Sequence, residues 1–100
     1  MIKLEENTEK KLTTYASHFG GNYDKMINII LSYRINQLQN SIHSIQLDLT
    51  TFEKKYKIKS SLFYDLFENG KLSDQNSDYF QWSGEYETFL SYQKELKHLL

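Results

Sequence analysis

Between Asn22 and Lys59 the chain has neither proline nor glycine, and its apolar residues recur there at alternating spacings of four and three. Leu31, Ile35, Leu38, Ile42, Ile45, Leu49, Phe52 and Tyr56 make up the repeat. A period of about 3.5 residues is the mark of a helix whose apolar seam faces another helix. Such a seam requires a partner, supplied either by a second copy or by the later part of the chain folding back. Around the start of the stretch Met26, Ile27, Ile29 and Ile30 are apolar as well. Burial on more than one side is therefore expected there.

The four glycines, at 20, 21, 70 and 84, divide the rest of the chain. Ile2 and Leu4 alternate with Lys3 and Glu5, the period of a short strand. A strand of this length has to pair with something, most simply its own copy. Asn7 or Thr8 is then expected to cap a helix presenting Leu12, Tyr15, Ala16 and Phe19 on one face, with Gly20-Gly21 as its stop. Asn22 is the next expected cap, with Asp24 in the first turn. After the long middle, Lys59-Ser60-Ser61 is expected to open a short helix that ends at Asn69-Gly70. Residues 71–78 read as a polar linker, Tyr79, Phe80 and Trp82 as an aromatic cluster, and a last helix is expected from about Gly84.

The core of the N-terminal pattern is L-x-x-Y-A-x-x-x-G-G-N-Y-D-K-M-I, from Leu12 to Ile27. With the strand before it, this order resembles the ribbon-helix-helix family, the Arc and MetJ type of DNA-binding dimer. The resemblance implies a mainly α protein with a short N-terminal strand, in which two copies pair their strands and place the ribbon in the major groove. It implies DNA contacts from Met1, Lys3 and Glu5, and phosphate contacts at the N-terminus of the second helix near Asn22 and Tyr23.

The segment from Phe52 to Gly70 looks like part of the C-terminal extension of antitoxins built on that domain. This implies a homodimer that represses its own operator DNA and neutralises a toxin protein, often a ribonuclease. The boundaries expected are 1–34 for pairing and DNA, 35–58 for the long seam helix, and 59–100 for partner binding. Phe63, Phe67, Tyr79, Phe80, Trp82, Tyr86 and Phe89 are the candidate partner anchors, aromatic rings being favoured at interfaces. The same rings could instead pack on the seam, and the sequence leaves both open. The alternative function is a helical coiled-coil adaptor without DNA binding.

Charge agrees with two different partners. Residues 1–58 carry a net of +2 and residues 59–100 a net of −3, within an overall −1. There is no cysteine, so disulfides and thiolate metal sites are excluded. No segment approaches the ~20 apolar residues of a membrane span, and a cytoplasmic protein is expected. His18, His43 and His98 lie far apart without a nucleophile or acid at a useful spacing, so no enzyme and no cofactor is expected. Asp74, Asn76, Asp78 and Glu85 match four positions of a calcium loop, but Tyr79 stands where the loop needs glycine.

Overall fold

A computed structural model describes residues 2–73 and 76–100. It contains four helices: α1 (Glu6–Ser17), α2 (Tyr23–Tyr56), α3 (Ser60–Glu68) and α4 (Ser77–Leu99). The helices fall into two compact units, Met1–Arg34 and Ile35–Leu100.

The expected strand is absent, and with it the ribbon-helix-helix fold: no strand occurs among the described residues. Glu5 is the N-cap of α1, and its carbonyl already accepts the Glu9 N–H at 2.9 Å. The chain thus enters helix at Glu6, and among the described residues no second strand lies beside residues 2–5 to pair with them. Asn7 and Thr8 consequently lie inside α1 rather than capping it.

Gly20 and Gly21 end α1 at φ of +66° and +79°, a conformation that side chains with a Cβ rarely adopt. Through this turn the Gly21 N–H reaches back to the Ala16 carbonyl at 3.0 Å. Asn22 caps α2 by accepting the Lys25 N–H on its Oδ1 at 3.1 Å. The Tyr23 hydroxyl donates to Thr13 Oγ1 at 3.2 Å and ties the start of α2 to α1. Among the described residues of this unit only Ala16 and Met26 are fully buried.

In the unit Ile35–Leu100, α4 runs antiparallel to α2. Tyr56 meets Tyr79 and Phe52 meets Trp82, while at the other end Ile42 shares a groove with Leu96 and Leu100. Here the seam pairs within the chain. α3 closes the core, where Leu49, Phe52, Phe63 and Trp82 pack together. Phe63 stacks face to face on Trp82, with ring centroids 3.8 Å apart and planes 3° from parallel. The Trp82 indole N–H donates to the buried Ser60 hydroxyl at 2.9 Å, satisfying the ring's one polar group.

The corner between α2 and α3 turns on Lys57 at φ +57°. α3 is capped from a distance: the Glu53 carboxylate accepts the Ser60 N–H at 2.8 Å. α4 starts at Ser77, well before Gly84, because Asn76 Oδ1 accepts the Asp78 N–H at 2.9 Å. Tyr79, Phe80 and Trp82 therefore sit in the first turns of α4, not ahead of it. No helix is long and apolar enough to cross a membrane among the described residues.

Candidate interaction surfaces

Two sets of candidate residues end up in different surroundings. Of the DNA-contact set, Met1 lies outside the described residues. Lys3 is exposed on the non-helical lead, and Glu5 is the cap residue of α1, so neither belongs to a ribbon. Asn22 spends its Oδ1 on its own helix, and Tyr23 bonds to Thr13.

The aromatic set is brought together, but chiefly as a core. Trp82 and Phe63 are fully buried, and Phe67, Tyr79, Tyr86 and Phe89 pack around them partly covered. Phe80 alone of the seven is mostly exposed, its ring edge-on to Phe67 at 5.5 Å. Buried rings cannot anchor a partner without unfolding the unit that holds them.

Polar groups rim this core and lock its helices together. Asp78 Oδ2 accepts from both Lys55 Nζ and the Tyr56 hydroxyl, each at 2.6 Å. The Lys55 hydrogen bond, followed by that of Tyr56, holds the Asp78 carboxyl below its ordinary value, and the same contact raises Lys55. The Tyr64 hydroxyl donates to Glu87 Oε1 at 2.7 Å, which pushes the phenol up to about 12. Burial and the nearby Asp48 carboxylate push Glu85 up to about 7, and its Oε2 is sealed from water without a hydrogen-bond partner.

A cleft of about 450 Å³ opens between α2, α3 and α4, lined in part by Glu53, Lys59, Ser60, Tyr86 and Phe89. Glu53 and Ser60 are committed there to the α3 cap and to Trp82. No group of His, Asp or Glu that could hold a metal ion occurs among the described residues. Asp74 of the calcium-like pattern lies outside them.

The exposed apolar surface is elsewhere. Among the described residues of the unit Met1–Arg34, nine large apolar side chains are exposed: Ile2, Leu4, Tyr15, Tyr23, Ile27, Ile29, Ile30, Leu31 and Tyr33. The unit nearly twice as long exposes five, namely Leu47, Leu62, Phe80, Leu90 and Leu100. The expected burial of α2's opening turns on several sides is met at Met26 only; Ile27, Ile29 and Ile30 remain 44–46% exposed. The signal for this was in the sequence. An apolar band wider than one seam, in a segment too short to cover it, leaves part of the band uncovered. Comparison with known protein families, curated proteins and solved structures returns no match to this chain.

Proposed function

We propose that the protein is a non-catalytic helical adaptor, in which residues 35–100 form a self-supporting body and residues 1–34 dock onto another protein. The observation that carries this reading is the concentration of exposed apolar side chains on the first unit, five of them between Ile27 and Tyr33. Contiguous apolar surface on an otherwise well-packed protein marks interaction sites. The second unit supports the reading by the opposite property, since its aromatic rings are mostly engaged with one another.

Operator-DNA repression drew its base contacts from a paired ribbon, and the unpaired, non-helical lead into α1 leaves Lys3 and Glu5 without one. Neutralising a toxin would be one instance of protein docking, and it needs no ribbon.

The test is binding of a naphthalene sulfonate dye that fluoresces on apolar surface, combined with sedimentation to fix the mass of the species present. Dye uptake by the monomer, lost in the double variant Ile27→Lys/Ile30→Lys, is the expected result. A monomer that takes up no dye would sink the adaptor reading.

A further inference from the structure

The α2–α4 pair of the second unit carries a groove that α3 fills only at one end. Along α4, a row of residues at alternating spacings of three and four begins with Tyr79, Trp82 and Tyr86. The α3 rings Phe63, Tyr64 and Phe67 pack on these three. α3 is only nine residues long, and beyond its rings the row continues as Phe89, Gln93, Leu96 and Leu100.

Two clefts open beside this later part of the row. One, of about 450 Å³, is lined by Tyr86 and Phe89 together with Gln46, Leu49 and Glu53 of α2. The other, of about 320 Å³, is lined by Gln93, Leu96 and Leu100 with Ile42 of α2. The α2 residues 42, 46, 49 and 53 are also spaced 4-3-4, so both clefts lie on one side of the helix pair, end to end. At 1.5 Å per residue the groove is about 17–21 Å long, room for roughly 11–14 helical residues.

We propose that this groove receives an amphipathic helix of another protein, one with carboxylates beside its apolar stripe. Shape selects a helix. α3 is already a helix seated at one end of the same groove, and the floor ahead of it is apolar at Leu49, Phe89 and Leu96.

Charge selects an acidic one. Leu90, Lys94 and Lys97 run at spacings of four and three along the outer bank on α4, all three exposed, and Lys97 lines the smaller cleft. Lys59 lines the larger cleft. None of the three lysines is paired with a carboxylate among the described residues. The α2 bank offers the uncharged Gln46 and Thr50, and the one carboxylate lining the clefts, Glu53, already accepts the Ser60 N–H. Residues 35–100 hold seven lysines against nine Asp and Glu, a net of −2, so this groove is positive on an acidic body. It shares no residue with the apolar surface of residues 1–34, and either docking site can fail without the other.

The experiment is titration of the isotope-labelled full chain, read by amide chemical shifts. The probe is an amidated peptide of roughly 14 residues with leucines on one helical face and glutamates beside them. Saturable shifts are expected at Gln46, Thr50, Gln93 and Lys97, with a dissociation constant on the order of 10–100 µM. Lysines in place of the glutamates should weaken the peptide at least ~5-fold. Lys94→Glu/Lys97→Glu should weaken the glutamate peptide roughly 5- to 20-fold and strengthen the lysine peptide. Circular dichroism checks that this variant is folded, and Lys97→Gln, with a loss of about 2- to 3-fold, replaces it if it is not.

No saturable shift up to about 1 mM peptide overturns the groove, as do shifts confined to residues 1–34. Equal binding of the two peptides, or unchanged affinity in the charge variants, overturns the acidic partner. Groove amides that shift with the chain's own concentration, as its mass rises from 12.0 kDa toward twice that value, overturn it in favour of a second copy.

Discussion

Residues 35–100 gather Leu49, Phe52, Phe63 and Trp82 into one core and surround it with nine partly buried apolar side chains, whereas residues 1–34 leave nine large apolar side chains exposed. The richer supply of aromatic rings is in the unit that covers them. What distinguishes the two is the number of helices that can face one another. The second unit brings part of α2 together with α3 and α4 around its seam. The first has only α1 to set beside an apolar band that spreads over more than one face of α2. Stickiness here follows from uncovered helix width, not from hydrophobic content.

The contrast can be broken most forcefully at Trp82. Trp82→Ala removes the ring on which Phe52, Tyr56 and Phe63 all stack, and should cost about 3–5 kcal/mol. Urea unfolding followed by circular dichroism measures it; a loss under ~1 kcal/mol would show that this stack is not what holds the unit together.

A smaller change tests the polar side of the same core. Ser60→Ala leaves the buried indole N–H of Trp82 unpaired and should cost about 1–3 kcal/mol, read as a shift of the denaturation midpoint. Gly21→Ala acts on the other unit by forcing a Cβ at φ +79°, with an expected cost of about 1 kcal/mol or slightly more. Amide exchange should register this loss in α1 and the first turns of α2, leaving α4 unchanged; equal loss everywhere would mean that the two units unfold as one.

The last prediction concerns pH. Glu85 is an acid whose folded value, about 7, lies above its ordinary 4.5. The folded state therefore holds the proton more tightly, and the associated stability is fully present below about pH 4.5 and lost as pH rises through about 7. Thermal midpoints of the wild type should fall across that window, and Glu85→Gln should flatten the fall. Asp78 works in the opposite sense. Its carboxyl is held below 3.8, so its contribution is present above that pH and lost in stronger acid.

Much of the helical punctuation was legible in the residues. The Asn22 cap, the Gly20-Gly21 turn and the Asn69-Gly70 stop are local signals, and the structure uses each of them. Local signals also misled. Ile2 and Leu4 alternate like a strand, yet pairing is a long-range property that four residues do not encode. Gly84 looked like a helix boundary, but with Asn76 capping eight residues earlier it becomes an interior position of α4. The aromatic set shows the deeper limit. Phe63 and Phe80 are the same residue type with the same expected role, and only the fold puts one at the centre of a core and the other on its surface. Likewise the Glu53 cap on α3 spans a turn whose geometry no pattern of residue types specifies.

The stack around Trp82 also equips the molecule with an optical reporter. It is the chain's one tryptophan, and it sits wholly inside the second unit. Its emission will follow the melting of residues 35–100 and report little of the first unit, whose tyrosines Tyr15, Tyr23 and Tyr33 emit at shorter wavelength. Selective excitation of the indole therefore follows one half of the molecule separately from the other, with no label attached.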